Sequence, residues 1–140
     1  MPIVLRVRDV MDSNVVFIDA SRSLADAMGM MVENKSWSLI VREGGLPVGV
    51  VTERDIIRKL VSEGRMDPTR ITVEQAMSSP LITIGPDAML SEVMTLMAAK
   101  EIRRVYVVEE GRVIGKVTQT GAMHKLLDAL MTLSSIPHQL

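Results

Sequence analysis

Apolar and polar positions along the 140-residue chain follow one pattern that occurs twice. Moving residues 7–60 forward by 66 positions places them on residues 73–126 without a gap, and fifteen of the 54 aligned pairs are identical. Eleven of the other pairs keep an apolar residue opposite a different apolar one. A repeat of this kind is typical of a supersecondary unit that buries its hydrophobic face against a copy of itself. The sequence therefore predicts two similar units, with clefts built from both copies.

Each copy predicts the same series of elements. A short apolar run predicts a first strand, at residues 15–18 and 81–84. Apolar residues at i, i+3, i+4 and i+7 then predict an amphipathic helix that begins near Leu24 and near Leu90. Two strands joined by a Gly-containing loop predict a hairpin, and a second helix follows it. These last elements are expected at 39–41, 47–51 and 53–62 in the first copy and at 105–108, 113–117 and 119–133 in the second.

This order predicts an α+β fold made of tandem β-α-β-β-α repeats. The first repeat is expected at residues 7–62 and the second at 73–133. A linker at 63–72 separates them, in which Pro68 blocks continuation of the preceding helix. Residues 134–140 form a tail, and residues 1–6 precede the first repeat, where the sequence leaves a short strand or an arm open.

Composition excludes several classes of protein. The net charge is −1, with ten basic and ten acidic residues in 1–70 and six against seven in 71–140, so no basic field exists for nucleic acid or an anionic membrane. Cysteine is absent and only two histidines occur, which argues against disulfides, a thiolate nucleophile and a metal site. No signal-peptide core and no apolar run of about 20 residues is present. We expect a globular cytoplasmic protein.

The junction between the third strand and the second helix carries the most distinctive chemistry. It reads Gly-Val-Val-Thr-Glu-Arg-Asp at residues 49–55 and Gly-Lys-Val-Thr-Gln-Thr-Gly at residues 115–121. A Thr followed three residues later by Asp is first of all a helix-capping arrangement, with Asp55 near the positive helix end. The same groups suit a nucleotide, because a helix N-terminus attracts phosphate and a carboxylate accepts ribose hydroxyl protons. Both interpretations stay open on the residues alone.

The doubled unit, with Gly-h-h-Thr-x-x-Asp (h apolar) after the hairpin, resembles the cystathionine β-synthase (CBS) domain, paired as a Bateman module. The resemblance covers residues 7–130. It implies that the two copies pack sheet to sheet around a pseudo-two-fold axis and form two clefts. Because relatives pair two modules into a flat disc, it also implies a homodimer, with which the apolar helix stripes and the twelve methionines are compatible.

The resemblance assigns one cleft to an adenosine-containing ligand. Thr52 and Asp55 match the ribose and phosphate motif, and Thr120 could reach the same phosphates. Arg103 and Arg104 match a basic pair that meets phosphate, for which guanidinium groups are well suited, although two solvated arginines are the alternative. The adenine side is expected at the start of the second copy's first strand, at Pro80, Leu81 and Ile82.

The second cleft departs from the family pattern. Gly121 stands where the first copy has Asp55, and Trp37-Ser38 stands where the second copy has its two arginines. We expect this cleft to be empty, weak or adapted to another ligand, with Trp37 buried in the core or in a dimer rather than stacked on a base. Lys116 and His124 are expected at the surface, with an anion contact as the alternative. The residues of this weaker cleft are Asn14, Val15, Val16, Ser38, Lys116 and Thr118.

These observations favour a regulatory, non-catalytic module. It is expected to bind AMP, ADP or ATP, to need no cofactor and to signal to a partner protein. S-adenosylmethionine is an alternative ligand, although it lacks the phosphate that Arg103 and Arg104 favour. A structural dimerisation module without a ligand is the other alternative. A hydrolase or transferase has little support, because the motifs place no nucleophile beside a base.

Overall fold

The structure is a computed structural model that describes residues 4–64 and 67–135. Three stretches lie outside the described residues: 1–3, which begin the segment left open as a strand or an arm, 65–66 of the linker and 136–140 of the tail. The helices and strands are α1 (Val7–Val10), β1 (Phe17–Asp19), α2 (Leu24–Asn34), β2 (Ser38–Glu43), β3 (Leu46–Thr52), α3 (Glu53–Glu63), a 3-10 turn (Pro68–Arg70), α4 (Val73–Ala76), β4 (Thr83–Ile84), α5 (Leu90–Lys100), β5 (Arg104–Glu109), β6 (Arg112–Thr118) and α6 (Gln119–Ser135).

The chain divides into two compact units. The first unit is Asn14–Leu81, and the second unit combines Met1–Ser13 with Ile82–Leu140. Each unit has a three-stranded sheet, with strand order β1-β2-β3 in the first unit and β4-β5-β6 in the second. The first pair of strands is parallel and the hairpin is antiparallel in both sheets. The predicted α+β repeat is confirmed.

Each unit buries its own apolar core beneath one face of its sheet. In the first unit, α2 contributes Leu24 and Met31 to a core that also contains Val51 of β3. In the second unit, Val93 and Met97 of α5 pack with buried residues of β5 and β6. Alternate residues of β2 and β5, Leu39 with Val41 and Val105 with Val107, lie in the two cores, while Ile40 and Tyr106 between them are also buried, so these central strands are buried on both faces.

The compact units do not coincide with the sequence repeats at their ends. Residues that precede the first strand of each repeat are bonded to the other repeat. Leu90 N donates to Leu5 O over 2.8 Å, and Leu24 N donates to Ile71 O over the same distance. The repeats have therefore exchanged their leading segments. Leu5, in the segment that the sequence left open as a strand or an arm, belongs to the second unit.

The two leading segments end in equivalent backbone bridges. Ser78 N donates to Val50 O over 2.8 Å and Val50 N to Ser78 O over 2.9 Å. Asp12 and Lys116 exchange the same two bonds, at 2.8 and 2.9 Å. The members of the two bridges are related by the repeat offset of 66 residues, so the exchange is a property of both copies.

Local pattern placed the helices and hairpins well and the first strands less well. The first strands are shorter than predicted, since β1 and β4 begin two residues later than the apolar runs do. The residues before them still bond to the sheet, because Val16 O accepts from Ile40 N over 2.8 Å and Ile82 O accepts from Tyr106 N over 2.9 Å. The short helices α1 and α4 were not predicted, since four residues are too few to show a helical period.

Replacement of Gly49 by Ala is expected to destabilise the first unit. A β-carbon at this position would overlap the carbonyl oxygen of Ser78, a backbone atom of the bridge. Such overpacking typically costs about 1–3 kcal/mol of unfolding free energy. The measurement is thermal or urea denaturation of the variant beside the wild type.

Gly115→Ala is the matched control, because the nearest atom to its β-carbon would be the flexible end of Met11, whose Sδ lies at 2.8 Å. Its loss of stability should be the smaller of the two. Equal losses for the two variants would contradict the role given to the Ser78 carbonyl.

Candidate functional site

The predicted capping motif forms a closed set of hydrogen bonds at the start of α3. Asp55 N donates to Thr52 Oγ1 over 3.2 Å. In return, Asp55 Oδ2 accepts from Thr52 N and from Thr52 Oγ1, each over 2.9 Å. This is a reciprocal capping box, which satisfies backbone donors that a helix start leaves without partners. The capping interpretation is therefore correct, and it fixes the position of the carboxylate.

Ser78 completes this group and was not anticipated from the sequence. Its Oγ donates to Asp55 Oδ1 over 3.3 Å, on the carboxylate oxygen that the capping box does not use. The backbone bridge to Val50 brings Ser78 to this place. A single serine near the start of the second repeat carries no pattern of its own. The only available signal was the glycine at 49, since a glycine within a strand indicates a close approach of another backbone.

The residues expected on the adenine side are divided between the two units. Pro80 and Leu81 belong to the same unit as Asp55, and Pro80 is exposed and follows a cis peptide bond. Ile82 belongs to the second unit, where it packs against the apolar core. The three consecutive residues thus belong to two compact units, and the apolar slot stays a prediction.

The second unit holds the three residues that were predicted for phosphate alone, Arg103, Arg104 and Thr120. They lie close to the junction of β5, β6 and α6. Arg103 is exposed, and its carbonyl accepts from Gln119 N at the start of α6 over 2.9 Å. Arg104 is the first residue of β5 and lies opposite Thr118. Its Nε is buried and has no hydrogen-bond partner among the described residues. Thr120 is exposed in the first turn of α6.

The residues of the expected weaker cleft differ in their environments. In the first unit, Asn14 is exposed and its side-chain amide donates to Asn34 O over 3.2 Å, while Val16 packs against the core. Val15 is partly buried. Ser38 is buried, and its hydroxyl has no hydrogen-bond partner among the described residues.

Lys116 was expected at the surface, and that prediction was wrong. The residue is only 7% exposed, because it sits in the middle of β6 opposite the buried Tyr106. Burial lowers the pKa of Lys116, while the Asp12 carboxylate raises it and the Arg104 guanidinium lowers it further. The second unit therefore holds a buried cation beside one acidic and one basic side chain. His124 is exposed, as expected.

Trp37 was expected to be buried in the core or in a dimer, and it does not lie in the core of this chain. The residue is 49% exposed, just before β2, and its burial in a dimer stays a prediction. Its carbonyl accepts from Glu53 N over 3.2 Å, which ties the residue to the start of α3. Its counterpart Arg103 makes the same backbone contact to the start of α6, so the two positions are equivalent in the fold although their side chains differ.

The described part of the chain has neither a metal-binding cluster nor a membrane-spanning helix. Within residues 4–64 and 67–135, no three His, Cys, Asp or Glu side chains are grouped so that they could hold a metal ion. No helix within those ranges is long and apolar enough to span a membrane.

Comparison with known proteins identifies the repeat. The CBS domain family matches residues 7–62 and again residues 73–128. Among curated relatives, an uncharacterized protein of Methanopyrus kandleri is 41% identical over 81 residues, which cover 57% of this chain and 41% of that protein. The CBS domain-containing protein YhcV of Bacillus subtilis is 29% identical over 111 residues, which cover 79% of this chain and 78% of YhcV. The chain thus spans less than half of the first relative and most of the second.

Solved structures give the same result for the fold. An uncharacterized conserved protein from Pyrococcus horikoshii is 30% identical with a TM-score of 0.76, and the match covers 100% of this chain and 99% of that one. A hexameric CBS-CP12 protein from bloom-forming cyanobacteria is 32% identical with a TM-score of 0.80, covering 100% of this chain and 80% of that chain. With both repeats matched and the fold shared, this chain belongs to the CBS domain family as a tandem CBS pair, a type of regulatory module that often binds a ligand.

Proposed function

We propose that this CBS pair binds an adenosine nucleotide, AMP, ADP or ATP, and reports its presence to a partner protein. The observation that carries the proposal is the Asp55 carboxylate, which Thr52 and Ser78 hold in one orientation at the start of α3. A fixed carboxylate of this kind is suited to accept hydrogen bonds from the two hydroxyl groups of a ribose.

The orientation of Asp55 supports a role in binding beyond helix capping. The capping bonds to Thr52 use Oδ2 alone. Oδ1 has one contact with Ser78 at 3.3 Å, a long distance for a hydrogen bond between oxygens, where about 2.7–2.8 Å is usual. A ribose hydroxyl that donates to Oδ1 would therefore compete with a weak bond only.

The two arginines supply the charge complement for phosphate. Arg104 has a buried Nε without a partner among the described residues, and an unpaired buried donor costs about 1–3 kcal/mol. A phosphate oxygen that accepted from this group would remove that cost. S-adenosylmethionine has no phosphate, but its carboxylate can also accept from a guanidinium, so Arg103 and Arg104 favour a nucleotide over this alternative only modestly.

A regulatory role follows if a partner distinguishes the ligand-bound from the ligand-free chain. A ligand shifts a conformational equilibrium only by its difference in affinity for the two states. We propose that the module is non-catalytic, since the Thr52 hydroxyl and the Asp55 carboxylate are both engaged in capping α3. A structural module without a ligand is the competing interpretation, and a cytoplasmic location stays a prediction.

Thermal denaturation with separate additions of AMP, ADP, ATP and S-adenosylmethionine tests the proposal. At a nucleotide concentration of about 100 times Kd, binding to the native state should add about 2.7 kcal/mol to the free energy of unfolding. Asp55→Ala should abolish the rise in Tm, and the double variant Arg103→Ala with Arg104→Ala should weaken it for nucleotides.

The control compares each variant with its own ligand-free Tm, because the loss of a capping residue alone costs about 1 kcal/mol. The absence of a Tm rise with every ligand at millimolar concentration would sink the nucleotide proposal and leave the structural module. A rise with S-adenosylmethionine alone would replace the nucleotide by that ligand.

Self-association is a second element of the proposal. The exposed side chains Ile57 and Val61 form an apolar stripe on α3, and Met123 and Leu127 occupy the equivalent positions on α6. Val61 is 72% exposed in the single chain. Exposed apolar stripes on neighbouring turns of a helix are typical of protein interfaces, and the cyanobacterial relative is described as hexameric. A homodimer that covers these stripes is the assembly that we propose.

A variant with Val61→Glu and Leu127→Glu is expected to be monomeric, because each stripe would then carry a charge that the interface would have to desolvate. Analytical ultracentrifugation at micromolar concentration measures the mass. Ser62→Glu is the control, since it adds one glutamate to an exposed residue of α3 outside the stripe. A monomeric wild type, or a dimer unaffected by the double change, would contradict this assembly.

A further inference from the structure

The second unit contains an apolar pocket that shares no residue with the proposed nucleotide site. The pocket has a volume of about 350 Å³ and lies between the segment around Val4, the start of α5 and the last turns of α6. Eight of its nine lining residues are apolar, and the ninth is Ser91. All nine belong to the same compact unit. A largely apolar cavity of this size, with a polar position in its wall, is typical of a site for a small molecule.

The corresponding place in the first unit is polar. Equivalent backbone bonds join each leading segment to the start of α2 or α5. With the repeat offset of 66 residues, these bonds place Met89 where the first unit has Ser23, and Val4 where it has Arg70. Met89 is 42% exposed and Val4 is 47% exposed. The second unit thus has apolar side chains in solvent where the first has a hydroxyl and a guanidinium, and grouped exposed apolar side chains are typical of a binding surface.

The added turns of α6 form one wall of the pocket. α3 has 11 residues and ends at Glu63, whereas α6 has 17 residues and continues to Ser135. Leu126, Leu130 and Leu133 lie on one face of α6, at i, i+4 and i+7, and all three line the pocket. Seven residues of helix rise about 10 Å. A wall of this length suits an extended chain better than a compact ring.

The start of α5 supplies hydrogen-bond donors at the pocket. In the first unit, Ser23 caps α2, and its Oγ accepts from Asp26 N over 3.1 Å. The capping position of α5 is Met89, and among the described residues no side chain caps this helix. Ser91 is exposed in the first turn, where its Oγ has a long contact of 4.0 Å with Met89 Sδ. Glu92 of the same turn does not line the pocket, so the polar side of the wall is a donor.

From these observations we infer that the pocket binds an aliphatic chain that ends in a hydrogen-bond acceptor, as in a medium-chain fatty acid. The alkyl chain lies along the leucines of α6, and the carboxylate accepts from Ser91. A carboxylate also suits the positive end of the α5 dipole. None of the nine lining residues is charged, so a cationic head group has no counter-ion in the pocket. This site is independent of the proposed nucleotide function.

Isothermal titration of the full chain with carboxylates of increasing length, from butanoate to decanoate below their micellar concentrations, tests the inference. Affinity is expected to rise by up to about fourfold per methylene group, because each one buries apolar surface. The rise should level off when the chain outgrows the wall of about 10 Å. Decyltrimethylammonium has the same alkyl chain without an acceptor, and it should bind about tenfold more weakly than decanoate.

Three substitutions separate binding from folding. Met89→Ser gives α5 the capping residue of α2, so the Tm should not fall while decanoate binding weakens. Leu130→Ala shortens the wall and should weaken binding about threefold or more. Its matched control is Leu46→Ala, the same change at a leucine of the first unit that is 69% exposed. Ser91→Ala should remove the preference for decanoate over decyltrimethylammonium.

Methionine methyl resonances locate the ligand in the same chain. Met89 at the pocket is 42% exposed, and Met28 in the first unit is 41% exposed. Decanoate should shift the Met89 methyl signal in an NMR spectrum of the labelled protein and leave the Met28 signal unchanged. Equal shifts of the two signals would mean adsorption to any exposed apolar surface and would overturn the inference. The absence of decanoate binding, equal affinity for decyltrimethylammonium, or unaltered binding in both Met89→Ser and Leu130→Ala would overturn it as well.

Discussion

Two short backbone bridges hold the segments that come from the neighbouring repeat, and the candidate site at Asp55 depends on one of them. Each joins the middle of a hairpin strand to a segment that arrives from the neighbouring repeat, through two hydrogen bonds of 2.8–2.9 Å. The approach is possible because each hairpin strand has a glycine beside the bridge, Gly49 or Gly115, where a larger residue would meet the incoming chain. Without these contacts, Ser78 would not reach Asp55. The glycines conserved between the copies thus act through backbone distance rather than through turns.

In the proposed function, one group at the start of α3 serves both stability and binding. Asp55 stabilises the helix through Oδ2 and presents Oδ1 toward the bridge. A residue that must cap a helix is held in one rotamer before any ligand arrives, so little side-chain entropy remains to be lost on binding. In the second unit Thr118 keeps the cap while Gly121 gives up the carboxylate. The two copies therefore preserve the element and vary the chemistry attached to it.

Sequence patterns were sufficient for the fold and insufficient for the neighbours of the site. Periodicity predicted the hairpins and the long helices, because each of them repeats its apolar positions over several turns or strand residues. It could not assign residues 5–12 to the second unit, since pairing across more than 80 residues leaves no local signal. For the same reason Ser78 was missed and Lys116 was placed at the surface. The chemical identity of Asp55 was visible in the chain, but its hydroxyl partner depends on tertiary pairing.

The exchange of leading segments also imposes an order on synthesis. A chain made from its N-terminus completes the first unit once residue 81 has emerged, because all of that unit lies in Asn14–Leu81. The segment at 5–12 is made earlier than anything else described, yet its partners at Asp87, Glu109 and Lys116 follow some 80 to 100 residues later. Residues 5–12 therefore lack these partners until the later part of the chain has been made, and contacts so distant in sequence slow folding. The second unit is thus the later of the two to complete its core, and it is the unit that removal of residues 5–12 would destabilise.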